Sequence, residues 1–307
     1  MKTVSILIPC YNEEQNIVPI YNALGSICDN NNYHWEILFV NDGSNDDTLK
    51  IIKQISDKDE KVKYISLSRN FGKENALLAG LDHTTGDCTI IIDADLQHPP
   101  HLINDMLQLW EEGYDDVYAQ RLSRGKESWI RKKLTILYYS LLQKMAKIDI
   151  LPNVGDFRLL DKKCVKALTQ LRETQRYNKG LYCWIGFRKK KITFDQADRT
   201  QGKSSFNYYK LFNLAIEGIT SYTTAPLRIS TIAGFVVSLT AFIYMCYVLL
   251  KTILYGDPVQ GYPTLIIVIL FLGGIQLLSL GIIGEYLGRI FHETKNRPVY
   301  IIEEKKI

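Results

Sequence analysis

Over roughly the first 120 residues, short apolar runs alternate with stretches of helical spacing. Residues 3–9, 35–40, 62–67, 89–92 and 117–119 read as strands, each bounded by polar turn residues. Helices are predicted over 16–28, 74–81 and 101–110, with an acidic helix start after Asp47. β-Branched runs this short and this continuously apolar are those of strands buried on both faces. Their regular alternation with helices implies an α/β fold, a mostly parallel sheet with helices on both faces.

The pattern then changes. In 128–148, Ile130, Leu134, Leu137, Leu141, Met145 and Ile148 recur at spacings of three and four, while Arg131, Lys132, Lys133, Lys144 and Lys147 take the other faces. Two readings stand: a helix buried against the preceding domain, or one lying in a membrane interface. A second amphipathic run covers 208–222. Residues 229–250 and 264–283 are apolar runs of about 20 residues, long enough to span a bilayer. Ala233-Gly234 and Gly273-Gly274 permit close packing of membrane helices. The alternative is a helical hairpin buried in a soluble protein. The connection 251–262 has a single Lys, whereas Arg228 precedes the first run and Arg289, Lys295, Arg297, Lys305 and Lys306 follow the second. That asymmetry places both termini in the cytoplasm. The expected organisation is a cytoplasmic domain at 1–225 with interfacial helices near 128–148 and 207–224, two spans within 226–290, and a cytoplasmic tail at 291–307.

Composition narrows this picture. A hydrophobic content of 46% excludes wholesale disorder, and a net charge of +4 makes the placement of cations matter more than their sum. No nucleic-acid partner is expected. Six cysteines without a C-x-x-C pair suggest reduced thiols and no structural zinc. The apolar run at the N-terminus is too short for a secretory signal. Neither G-x-G-x-x-G after the first strand nor G-x-x-x-x-G-K-[ST] is present, which weakens dinucleotide and P-loop readings.

The chemistry gathers where strands end: Tyr11, Asn12 and Glu13; Asp42; Arg69 and Lys73; Asp93 and Asp95. Ligands of open α/β sheets bind at that rim. Two carboxylates separated by one residue suit Mg2+ or Mn2+ shared with substrate phosphates, or are simply solvated acids at a strand end. Two polar islands follow. Residues 154–161 set Asp156 beside Gly155 in apolar surroundings, and 199–205 have the composition of a loop that closes over phosphate, or of an ordinary loop.

Taken together, Pro9-x-Tyr11-Asn12-Glu13, Asn41-Asp42-Gly43-Ser44, Asp93-Ala94-Asp95-Leu96-Gln97-His98-Pro99-Pro100, Gly155-Asp156-Phe157-Arg158 and Arg199-x-x-Gly202-x-Ser204 resemble the signatures of one family, in its order. These are the membrane-associated family 2 glycosyltransferases that load one sugar onto a polyprenyl phosphate, which include dolichol-phosphate mannose synthase and bactoprenol glucosyltransferases of the GtrB type. The two apolar runs and the ending Gly284-Glu285-Tyr286-Leu287-Gly288-Arg289 resemble the GtrB type. The resemblance implies a GT-A fold, a UDP-sugar donor, a divalent cation, and inverting transfer to undecaprenyl phosphate at the inner or plasma membrane. By position, Pro9, Tyr11, Glu13 and Asp42 look like the nucleoside pocket. Lys73, Asp93, Gln97, Arg199 and Lys203 look like further donor contacts. Asp95, with Asp93, would hold the metal. Asp156 matches the family's base, with Asp93 beside the donor as the second catalytic candidate. Arg121, Arg124 and Arg131 are candidates for the lipid phosphate.

Glucose is the expected sugar because residues 180–187 look most like the GtrB type; N-acetylglucosamine is the alternative. A processive synthase would carry Q-x-x-R-W, whereas Gln196-x-x-Arg199 is followed here by Thr200. An inactive sugar-nucleotide sensor is the third reading. Gly281, Gly284 and Gly288 could pack the hairpin on itself or on a second copy, so a homo-oligomer is possible.

Overall fold

A computed structural model describes residues 1–29, 31–122, 154–174, 176–194, 225–255 and 261–307. The predicted alternation is present. Strands β1 (Thr3–Cys10), β2 (His34–Asn41), β3 (Val62–Leu67) and β4 (Cys88–Ile91) are each followed by a helix: α1 (Ile17–Asp29), α2 (Thr48–Ser56), α3 (Lys73–Leu81) and α4 (Leu102–Glu111). Helix α1 buries Ile17, Ile20, Leu24 and Ile27, one apolar stripe against the sheet. From Ala76 to Leu81 every residue of α3 is buried, so its apolar character continues around the helix.

The remaining elements are β5 (Asp116–Arg121), β6 (Val154–Asp161), α5 (Lys162–Gln170), α6 (Asn178–Trp184), β7 (Lys189–Phe194), helices α7 (Ala225–Tyr255) and α8 (Tyr262–Thr294), and β8 (Ile302–Lys306). The eight strands form one sheet in the order β7-β5-β6-β4-β1-β2-β3-β8. Its centre, β4-β1-β2-β3, is parallel. The flanks are mixed: β6 runs antiparallel to both β4 and β5, β7 is parallel to β5, and β8 is antiparallel to β3.

Three strands correct the sequence reading. Residues 154–161 form a central strand, because the polar side chains that made them look like an island have partners in the interior: Arg158 lies 3.1 Å from Asp116 in a buried ion pair. Lysine-rich β7 occupies a sheet edge, where cations are tolerated and discourage further pairing. Within the segment expected as a tail, β8 supplies the opposite edge. There Ser68 donates its backbone N–H to Ile301 O (3.0 Å), Tyr300 donates to Asp82 (2.5 Å), and Lys306 donates to Ser56 O (2.7 Å) and Asp57 (2.9 Å).

The chain divides into two units, one of Met1–Leu211 with Arg297–Ile307 and one of Phe212–Asn296. The second contains α7 and α8, both longer than the apolar runs that predicted them. Among the described residues one stretch, Phe271–Thr294, is long and apolar enough to cross a membrane. Leu277, Leu278 and Leu280 are all more than 60% exposed, so apolar side chains emerge on several sides of α8. A hairpin buried in a soluble core would not show this. The predicted helices at 128–148 and 207–224 lie outside the described residues.

Candidate active site

The loops after β1 and β2 are cross-pinned. Asn12 N donates to Ser44 Oγ (2.9 Å), Asn45 N to Asn12 Oδ1 (2.9 Å), and Glu13 N to Thr48 Oγ1 (2.8 Å). The loop after β3 is held to the same place by Asp42, whose two oxygens accept from Phe71 N (2.7 Å) and Gly72 N (2.9 Å). Gly43 completes the arrangement. Its φ is +66°, and a Cβ there would come 2.4 Å from the Arg69 carbonyl carbon, so only glycine lets the second and third loops cross.

These loops enclose a cavity of about 330 Å3 beyond the strand ends. Pro9 at the end of β1 lines it with Tyr11 and Glu13 from the loop that follows, Asp42 from just after β2, Lys73 from the start of α3, and Asp93 and Asp95 from the segment after β4. All seven were candidates by sequence; Cys10, Asn70, Gly72, Ala76 and Ala94 complete the wall without having been singled out as ligand contacts. Two chain neighbours of lining residues have positive φ, Asn12 at +55° and Leu96 at +56°. For a branched side chain such as Leu96 this conformation is costly and persists only when its surroundings enforce it.

Lys73 connects the cavity to β6. Its Nζ lies 2.6 Å from Asp93 Oδ1 and 2.9 Å from Asp156 Oδ2. Desolvation alone would lower the Lys73 pKa, but Asp93 and Asp156 hold it well above the ordinary lysine value. Asp156 is buried, which alone would raise its pKa; Lys73, Lys179 and Arg158 outweigh this and hold it below the usual carboxylate value. Glu13 is pushed up, chiefly by burial and by nearby Asp95 and Asp93, against a hydrogen bond from Asn16. Asp42 is also raised by burial, in part offset by the amides of Phe71 and Gly72. The site therefore collects carboxylates around one lysine.

The other sequence candidates fall elsewhere. Gln97 is buried, and its backbone N donates to Asp95 Oδ1 (3.1 Å), fixing that carboxylate from behind. Arg121 ends β5 with its guanidinium 3.5 Å from His98 Nε2. His98 is itself buried and stacked on Phe157 at 5.0 Å, a packing role its motif did not reveal. Arg124, Arg131, Arg199 and Lys203 lie outside the described residues. Glu74 was passed over, although its position next to Lys73 was the available signal.

A divalent cation fits this donor set only with help from a substrate. Among the described residues no group of three or more His, Cys, Asp or Glu side chains could hold a metal. Asp93 and Asp95 are hard oxygen donors that would leave most of the coordination sphere to diphosphate and water, as Mg2+ and Mn2+ sites commonly do.

Residues 5–169 match the glycosyl transferase family 2 model, and residues 225–290 match the GtrB C-terminal hairpin. An uncharacterised glycosyltransferase from Synechocystis sp. is 46% identical over 98% of this chain and 95% of its own length. A bactoprenol glucosyl transferase from Shigella phage SfX is 42% identical over 99% of each chain. Among solved structures, glucosyl-3-phosphoglycerate synthase from Mycobacterium tuberculosis, in complex with Mn2+, UDP-glucose and phosphoglyceric acid, aligns with a TM-score of 0.49 at 18% identity, covering 71% of this chain and 77% of that one. With its GT-A type sheet and its strand-end carboxylates, the chain belongs to glycosyl transferase family 2 and is a glycosyltransferase whose C-terminal part is the GtrB hairpin.

Proposed function

We propose that this enzyme transfers one glucose from UDP-glucose to undecaprenyl phosphate, with inversion at the anomeric carbon, at the cytoplasmic face of a membrane crossed by α7 and α8. The observation that carries the reading is the Lys73 bridge, which brings Asp93, on the cavity wall, and Asp156, beyond it, within reach of one ammonium. The choice of sugar and lipid class is supported by the names of full-length relatives.

A phosphate oxygen of the acceptor attacks the anomeric carbon. The bond from that carbon to the donor's β-phosphate oxygen breaks, and UDP leaves with the electron pair. The acceptor is already largely anionic, since the second pKa of a phosphate monoester is about 6. A strong base is thus unnecessary, and Asp156, held ionised by Lys73, serves to orient the acceptor and take any residual proton. Lys73 offsets the charge of the two carboxylates it touches, which eases the approach of one anion to another. Glu13 and Asp42 border the end of the cavity assigned to the nucleoside. Asp95, with Asp93, would hold Mg2+ or Mn2+, which would stabilise charge on the departing diphosphate. Arg199 and Lys203 are assigned to the donor phosphates, and Arg121, Arg124 and Arg131 to the lipid phosphate.

The test is UDP release by the full-length protein in detergent, with UDP-glucose and with or without undecaprenyl phosphate. Release that depends on the lipid is expected. Equal release in both arms, or none in either, would contradict the assignment of acceptor and activity.

A further inference from the structure

The seam between α3, β6 and α6 contains a second acid for which the reaction above has no use. Glu74 follows Lys73 directly, yet it engages α6: its Oε2 accepts the backbone N–H of Asn178 at 2.9 Å. Asn178 is fully buried, and its Oδ1 accepts from Arg176 Nε at 2.6 Å, while Arg176 also donates to the carbonyls of Leu171 and Leu168. One turn along α6, fully buried Tyr182 lies under the Arg158 guanidinium, 3.6 Å from ring centroid to Cζ. Arg158 and Asp156 are two residues apart on β6 and so project from the same face. The helix is therefore seated on the strand that carries Asp156, through buried polar contacts, and Glu74 ties that helix back to α3.

We propose that Glu74 is a positioning residue for Asp156: by accepting the Asn178 N–H it clamps α6 over β6, and this keeps the Asp156 carboxylate on the Lys73 ammonium. The inference rests on the role given to Asp156 in the proposed reaction. Charge is not what the clamp needs. Asp156, Lys73, Lys179 and the Asn178 amide face Glu74, and burial together with the field of Asp156 raises its pKa to about 7. A neutral acceptor of the same shape should thus hold α6 equally well.

The test uses the full-length enzyme with UDP-glucose and undecaprenyl phosphate. Turnover of the parent examines the function itself; the ratio of variant to parent examines Glu74. Glu74→Gln should keep kcat within about twofold, and Glu74→Ala should lower it about tenfold with the donor KM little changed, the size expected for one part-buried hydrogen bond to an acidic group. Should Glu74→Ala not fold, Asn178→Pro removes the same N–H at a first helical position that tolerates proline. Read against Asn178→Ala, which loses the side chain but keeps the N–H, it should show a similar loss. Adding Glu74→Ala to Asn178→Pro should then cost nothing more. A Gln variant as impaired as the Ala variant, a lower melting temperature with parental kcat, or losses that multiply in the double variant would each overturn the proposal.

Discussion

Lys73 Nζ is within 3 Å of two carboxylates, Asp93 just after β4 and Asp156 on β6, so removing it takes away the cation that bridges them. Lys73→Met should cost about a hundredfold in kcat, of the order mutagenesis finds for one electrostatic contact in a catalytic site. The field that holds Asp156 below the usual carboxylate value would then be weaker, so the acid limb of the pH–rate profile should move up. An unmoved limb would remove Lys73 from the catalytic electrostatics. Glu74 makes a separate prediction about stability. Its folded pKa of about 7 lies above the ordinary glutamate value, so between the two the folded state binds more protons than the unfolded state. Stability contributed at this position is therefore full below about pH 4.5 and is lost as pH rises toward 7. The melting temperature of Glu74→Gln relative to the parent should accordingly rise between pH 5 and pH 8, and a constant difference would contradict the burial of this acid beside Asp156.

Among the elements, those read correctly from the chain are the ones whose burial is uniform. Strands β1, β2 and β4 declare themselves because they are buried on both faces, α1 because one stripe is apolar, and α3 because its apolar character continues around the helix. Strand β6 hid because its interior is polar: Asp156 and Arg158 are buried and paired, which no periodicity records. β7 and β8 hid because edge strands carry lysine and glutamate. Seven residues that line the cavity were legible as strand-end polar groups, since strand ends converge by topology, but the cross-pinning of its loops was not. Gly43 tests that pinning. Gly43→Ala should destabilise the protein by about 1–3 kcal/mol, through its positive φ and the approach to Arg69, and should raise the donor KM because the loop carrying Gly72 and Lys73 must shift. A Tm loss with unchanged KM would show that the loop's position does not shape the pocket.

For the whole molecule, the sheet is closed at one edge by the segment that follows α8, so the chain leaves the catalytic unit for the hairpin and returns to it. The sequence marked the apolar runs by length alone, whereas the return strand Ile302–Lys306 was concealed by its charge. The cations assigned to phosphate and those assigned to lipid attraction should separate in experiment. Arg199→Ala is expected to slow transfer while the protein still floats with liposomes; a parallel loss of both would merge the two roles.

The central claim, a single sugar moved from UDP-glucose to a polyprenyl phosphate, is tested most directly by the product. The full-length enzyme is incubated with radiolabelled UDP-glucose, undecaprenyl phosphate and a divalent cation, in parallel with UDP-N-acetylglucosamine, and the lipid extract is resolved. The account predicts one labelled lipid bearing one acid-labile glucose and no comparable product from the second donor. A longer glycan, preferential use of the other sugar nucleotide, or label that never enters the lipid fraction would contradict it.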